Sequence, residues 1–305
     1  LSDKSEHTIR GSLELGEGDG NQLVKKLNLE GGVISEGSLS TKEGLFSSGG
    51  TIYAQLTGDG GLTAKAGTLT IDSAGSDYSG DTTVEEEASL IALNDFALSD
   101  ASEYTIRGAL GLGGGETRQQ VKQLNLEGGV ISEGTLSTKE GLFSSGGTID
   151  AKLTGDGGLK ATGGVTTLYG TGSDYSGETT VQAGTLRAGA DGVFSSNSKT
   201  TTIADQGVLD LNGTNQNLLD VHLNGGLLEG NNGILNANSV VSWGGIVSSL
   251  GGSIGGDEGG ESVGFVVLEG ETIFSGTNSF DGSLNVVGGE VRAANDFSFS
   301  RNIKT

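Results

Sequence analysis

Two pairs of carboxylates recur in matching settings: Asp59 in TGDGG with Asp77 in SDYSG, then Asp156 with Asp174 in the same two pentapeptides further along. Paired carboxylates can act as general acid and base in glycoside or polyuronate cleavage. Their setting argues against that chemistry. Duplicated aspartates between glycine and serine are turn formers whose carboxylates accept nearby backbone N–H groups. A sugar-cleaving enzyme also wants clustered aromatic rings, and 5% aromatic content spread singly supplies none. The two histidines, His7 and His222, lie far apart, and the duplicate of His7 is Tyr104, so they support neither a triad nor a zinc site. The chain has no cysteine, which removes thiolate metal sites, cysteine nucleophiles and disulfides. GGSIGGDEGG (251–260) lacks the repeated nonapeptide of a calcium roll and the GK[ST] ending of a phosphate loop, so Asp257 and Glu258 read as solvated loop residues. We expect no catalytic residue, no cofactor and no metal, and a protein that is not an enzyme.

Composition narrows the class further. With 39 acidic against 17 basic residues the net charge is -22, which repels phosphate backbones and anionic membranes alike. No nucleic-acid partner is expected. No stretch reaches the roughly 20 apolar residues of a membrane span, so no membrane insertion is expected. Leu1 opens without a basic and then apolar segment, which suggests an internal piece of a longer chain. Glycine occupies 58 positions and proline none, and 33% hydrophobic content is thin for one large core. Low hydrophobicity with high charge also permits disorder, but here the apolar residues are β-branched and regularly placed.

The chain repeats itself. Residues 27–52 and 124–149 differ only at Ser38 and Thr135, and laying 1–90 on 98–187 gives 61 identities in 90 pairs. A third, eroded copy follows, with HLNGGLLEG answering NLEGGVISEG, and SRNIKT resembles the start of a fourth. The units are therefore 1–97, 98–194 and 195–305. Within them, short alternating runs such as Thr68-Leu69-Thr70-Ile71 end at GG, GDG, NG or SG, and helical periodicity is almost absent. Glycine recurs because tight corners often need a positive φ. Strands of three to five residues with one or two inward side chains cannot build a two-layer core. They can stack as a parallel β-helix, whose strands lie about 4.8 Å apart. A 97-residue unit is close to five coils of about 19 residues. We expect an all-β, right-handed parallel β-helix, one continuous solenoid of roughly 15 coils. Antiparallel β-domains in tandem are the competing architecture, but these carry loop prolines and a buried aromatic per copy, whereas this chain has one tryptophan, Trp243.

Leu56 to Ala92 and Leu153 to Gly189 share a GxGGL start, a strand, a D-Y-S-G-x-T-T-V core and an apolar ending; Thr277 to Asp296 keeps the aromatic and the glycine but not TTV. These segments resemble the passenger-associated transport repeat of bacterial type V autotransporters. The first copy departs at EEEASLIA, where Glu85, Glu86 and Glu87 add one residue. The resemblance implies a β-helical passenger secreted through an outer membrane by a C-terminal β-barrel translocator. It implies a cell-surface location on a Gram-negative bacterium.

The repeat's structural residues are then Gly60, Gly61, Asp77, Tyr78 and Gly80, with Gly157, Gly158, Asp174, Tyr175 and Gly177 in the second copy and Phe280 and Gly282 in the third. Tyr78, Tyr175 and Phe280 keep the ring and can drop the hydroxyl, which predicts core or corner packing. Asn224, Asn231, Asn236 and Asn238 are expected to stack as asparagine ladders inside turns. Lys42, Glu43, Lys139 and Glu140 present one surface twice, which suits multivalent contact. We expect an adhesin or self-association stalk whose partner is a further copy on a neighbouring cell, or a host surface protein or glycan. The alternative is a passive scaffold that supports folding during export and presents a distal effector.

Overall fold

The computed structural model describes residues 1–16, 21–255, 264–295 and 303–304, so Asp257 and Glu258 lie outside it. The described residues contain strands and turns and no helix. Parallel strands stack into a β-solenoid of about 15 coils. The chain packs as two compact units, Leu1–Leu142 with Asp150–Thr154, and Phe143–Ile149 with Gly155–Thr305. This division differs from the repeat boundaries at 97 and 194, because the units are bodies of packing and the repeats are units of sequence.

In the first unit three parallel ladders run along the stack. One inner column reads His7, Leu27, Leu45, Leu62, Thr82, Tyr104, Leu124, each paired with the next. A second reads Leu69, Leu90, Leu110, Ile131. A third ladder pairs Gln22 with Leu39 and Leu39 with Leu56. The second unit repeats the plan. Its columns are Leu159, Thr179, Thr201, Val221, Val240, Phe265, Leu284 on the first ladder and Leu186, Leu209, Leu228, Val247, Phe274 on the second. Gln216, Leu235, Gly252 and Phe280 make up the third. The strand Ile303–Lys304 pairs with Gly282 and Ser283.

Alternation explains the strands. Thr82–Val84 and Leu62–Ala64 are buried, half-buried, buried in order, so two side chains point in and one points out. Each fully buried leucine contributes about 1.5–3 kcal/mol, and the column format lets every rung contribute without a wide core. Coil length varies without loss of register: partners lie 17 residues apart at Leu45 and Leu62 and 25 apart at Val240 and Phe265. The extra residue in EEEASLIA is absorbed the same way. Glu86 and Glu87 form a turn closed by the Ala88 amide donating to the Glu85 carbonyl (2.9 Å), and the ladders on either side stay in register.

The glycines of the repeat have a different cause from the one expected. Gly60, Gly61, Gly80, Gly158 and Gly177 have no positive φ. A Cβ at Gly61 would sit 2.2 Å from the Asp81 carbonyl oxygen, and one at Gly80 would sit 2.4 Å from the Gly61 nitrogen. The second copy has the same clashes, Gly158 against Glu178 at 2.3 Å and Gly177 against Gly158 at 2.4 Å. Corner backbones of successive coils touch there, and no side chain fits between them. Gly157 is buried in the same corner. Gly282 meets both demands, with φ at 139° and the Ile254 carbonyl 2.1 Å from its added Cβ. We therefore predict that Gly177→Ala lowers unfolding stability by about 1–3 kcal/mol through overpacking. Gly163→Ala, where a Cβ would meet nothing within 4 Å, changes it by less than about 0.5 kcal/mol. Urea denaturation of the two variants checks this; equal midpoints would refute the steric account.

Candidate functional site

The repeat motif builds a buried polar cluster. TGDGG turns the chain at one corner, and on the next coil SDYSG lies directly over it, with the Asp77 amide donating to Leu56 O and the Ser79 amide to Gly58 O, both at 2.9 Å. That lay-down fixes Tyr78 inward, 2% exposed. Its Oη lies 2.9 Å from Thr82 Oγ1 and 3.0 Å from Tyr104 Oη, while Thr82 Oγ1 lies 3.0 Å from Ser102 Oγ. Ser99 Oγ donates to the Tyr78 carbonyl and Ser102 Oγ to the Gly80 carbonyl. In the second copy Tyr175 Oη meets Thr179 Oγ1 at 2.8 Å, Thr179 meets Ser198 Oγ at 3.1 Å, and Ser195 Oγ donates to the Tyr175 carbonyl at 2.7 Å. A tyrosine and the threonine four residues on are thus one device used twice.

The third copy drops both hydroxyls together. Phe280 takes the tyrosine's place, and Leu284 stands in the column of Thr82 and Thr179. Phe280 is fully buried and packs with Phe265 and Phe274, centroids 5.9 and 6.1 Å away. Removing both members of a buried hydrogen bond costs little, whereas removing one strands the other.

Chemically, these hydroxyls are structural. Burial pushes the Tyr78 phenol above its ordinary range despite hydrogen bonds to Thr82 and Tyr104. Tyr104 is pushed well above, by burial first and then by Tyr78, and burial carries Tyr175 up to about 12. A phenol so held is a hydrogen-bond donor and not a base at neutral pH. The aspartates are exposed: Asp59, Asp77, Asp156 and Asp174 all face solvent, and Asp156 accepts from Ser176 Oγ at 3.3 Å. Among the described residues no three His, Cys, Asp or Glu side chains cluster as a metal site. His222 packs edge-on against Trp243, 5.2 Å between centroids.

The duplicated charges are engaged with their own chain. Lys42 Nζ pairs with Asp3 at 2.9 Å and Lys139 Nζ with Asp100 at 2.8 Å, the same bond one repeat apart. Glu43 faces Lys25 at 3.4 Å. Lys122 Nζ lies 2.6 Å from Glu103, whose hydrogen bond, with Glu140 as a further negative neighbour, holds the lysine above its ordinary range. Arg10 with Glu30 and Arg107 with Glu127 continue the pattern.

The asparagines expected to stack in ladders inside turns lie on the outside. Asn224, Asn231, Asn236 and Asn238 are all exposed, and Asn236 stacks on Asn217 (2.9 Å) on the outside. The internal carboxamides include Gln119 and Gln216, which accept from the backbone amides of Leu98 at 3.1 Å and of Val193 and Phe194 at 3.1 and 3.2 Å, and Asn278, which accepts from that of Leu250 at 3.0 Å. Asp95 and Asp191 help fix the same loops by accepting from the amides of Arg118 and Asn215. The signal was available, since Gln119 and Gln216 are 97 residues apart, the spacing of the repeat itself.

Three segments, residues 66–86, 160–188 and 269–293, match the family model of the passenger-associated-transport-repeat. They cover about a quarter of the chain. That repeat is found in autotransporter passenger domains. The third match reaches further toward the N-terminus than the motif residues Thr277 to Asp296 alone. No curated protein and no solved structure matches the chain.

Two outcomes follow from the hydroxyl device. Tyr175→Phe and Thr179→Val each cost about 1–2 kcal/mol, and the double variant costs less than their sum by roughly 1 kcal/mol, measured as a double-mutant cycle in urea. Alkaline titration gives the second. A phenol raised in the folded state contributes its full stability below the unfolded value near 10, and loses it as pH rises toward the folded value of about 12 for Tyr175. Ionisation of Tyr175 should lower unfolding stability by about 2–3 kcal/mol across that window, and Tyr78 and Tyr104 act in the same direction. Ultraviolet phenolate absorbance read beside circular dichroism checks this; ionisation of the three buried tyrosines at pH 10 in a folded protein would contradict it.

Proposed function

We propose that this chain is a non-enzymatic adhesive stalk of an autotransporter passenger, held outside a Gram-negative cell by a β-barrel translocator belonging to the full-length protein. It binds through the outward side chains of its coils, either to further copies on neighbouring cells or to a host surface protein or glycan. One observation carries the reading: the passenger repeats occur in a solenoid whose inner positions are committed to stacking. Tyr78, Thr82 and Tyr104 bond to one another, Gly61 and Gly80 hold corners together, and Gln119 and Gln216 pin loops. Recognition is left to the outer face.

A second reading has its own support. Lys42, Glu43 and Lys139 are paired within the chain, which favours a passive scaffold over copies one and two. Exposed pairs are worth about 0–1 kcal/mol each and exchange readily, so they can also be traded for pairs with a partner. Sedimentation velocity across a concentration series, with cell aggregation by displayed passenger beside it, separates the readings. An adhesive stalk associates or aggregates cells, and raising salt past the Debye regime weakens a charge-mediated contact. A strictly monomeric chain whose display leaves cells dispersed and uncoated by host material sinks the adhesive reading and leaves the scaffold.

A further inference from the structure

The third copy differs from the first two on its outer face, and the difference is concerted. Gln216 fixes its loop as Gln119 does, so Leu219 stands where the second copy has Lys122; Ser195 and Ser198 bond as Ser99 and Ser102 do, which puts Ser196 at the place of Asp100, and Thr200 stands at Glu103 after one inserted residue, the exposed Lys199. On the next rung the Ile234 amide bonds Thr214 O as the Thr135 amide bonds Thr117 O, which puts Asn238 at the place of Lys139. Both members of both ion pairs, Lys122 with Glu103 and Lys139 with Asp100, have been exchanged for uncharged residues. In a chain of net charge -22, the described residues lining this outer patch carry no charge.

The exchange leaves an open groove of about 470 Å³ on the third ladder of the second unit. Asn217, Asn236 and Ser253 pair rung by rung along it. Asn236 Nδ2 donates to Asn217 Oδ1 at 2.9 Å, and Asn236 Oδ1 accepts from the Ser253 amide at 3.2 Å. These bonds fix which way each carboxamide faces before anything binds. Leu219 supplies an apolar patch, 36% exposed, beside them.

We propose that this groove binds a linear, uncharged oligosaccharide. A carboxamide offers a donor and an acceptor side by side, the match for vicinal sugar hydroxyls, and Leu219 offers a surface for the C–H face of a ring. Rungs about 4.8 Å apart repeat these groups along the stack, so the ligand is a chain of similar units rather than a single sugar. Among the described residues the lining holds no basic side chain, which within an acidic protein disfavours sulfated and uronic-acid glycans by repulsion. With no aromatic platform, affinity rests on hydrogen bonds and repetition, and the dissociation constant falls in the millimolar range. The proposal rests on the adhesive reading and names its ligand.

The test uses the full 305-residue chain, saturation-transfer NMR and affinity electrophoresis, with cello-, laminari-, malto- and mannohexaose as probes and heparin hexasaccharide as the charged comparison. Saturable binding of an uncharged probe is expected. Asn217→Ala with Asn236→Ala, and separately Leu219→Lys, should each weaken it by about tenfold or more with circular dichroism unchanged. Binding that survives both variants, or a preference for heparin, overturns the site. If no probe binds while the chain self-associates and the same variants abolish association, the groove belongs to a second copy: the glycan inference fails and the adhesive reading stands. If the chain binds no sugar, does not associate and does not aggregate cells, both fall.

Discussion

Each coil rests directly on the one before it, at the spacing of hydrogen-bonded strands, and this contact leaves no slack. Each residue of a ladder packs against a counterpart one rung away and must fit the space that counterpart leaves, as where Gly252 lies between Leu235 and Phe280. At the repeat corners the agreement is strict enough that Gly61 and Gly80 exclude even a methyl group. Along the inner columns leucine stacks on leucine, as at Leu27, Leu45 and Leu62. The fold needs no broad core because burial is supplied one rung at a time, which is how a chain with 33% hydrophobic residues folds at all.

The same rule governs polar residues inside the stack. A buried hydroxyl needs a partner, and in a solenoid that partner is on its own coil or the adjacent one. Tyr78 uses both, reaching Thr82 on its own coil and Tyr104 on the next. Tyr175 uses Thr179, and Phe280 with Leu284 dispenses with the exchange altogether. The change between copies is therefore not Tyr to Phe alone but a pair moving together, with Phe265 and Phe274 filling the space beside the ring. A lone change from tyrosine to phenylalanine would leave the threonine hydroxyl one partner short in a dry interior, with its serine alone.

Much of this was legible in the residues. The stacking architecture followed from a period that glycine-bounded runs divide into short coils, and SDYSG with TTV marked the transport repeat. What stayed hidden needed the neighbouring coil. Gly60 and Gly61 look like turn glycines in isolation, and only the positions of Thr41 and Gly44 beside the first and Asp81 beside the second, on neighbouring coils, show them to be contact glycines. Lys42 looks available because Asp3 lies 39 residues away in sequence, yet the two are 2.9 Å apart two coils on. Asparagines at corners invite an internal ladder, but the corners are wet, and the carboxamides that go inside are those facing bare loop amides, such as Gln216. Local chemistry identified the elements, and rung-to-rung chemistry assigned the roles.

That distinction bears on how such a stalk acquires a function. Copying a block of coils copies its outer face, and since Lys139 repeats Lys42 and Asp100 repeats Asp3, the copied face arrives with its charges already satisfied. Erosion then acts unevenly, because inner columns and glycine corners resist change while outer positions do not. The third copy has kept its glycine corner at Gly282 and its buried ring at Phe280, and has lost four charges from one patch of its exterior. Stacking physics thus separates the two halves of the problem: the interior preserves a frame in which single rungs remain interchangeable, and the exterior of an eroded copy is free to drift from ion pairs toward uncharged groups such as Asn217 and Asn236, whose mutual bond leaves each carboxamide further donors and acceptors.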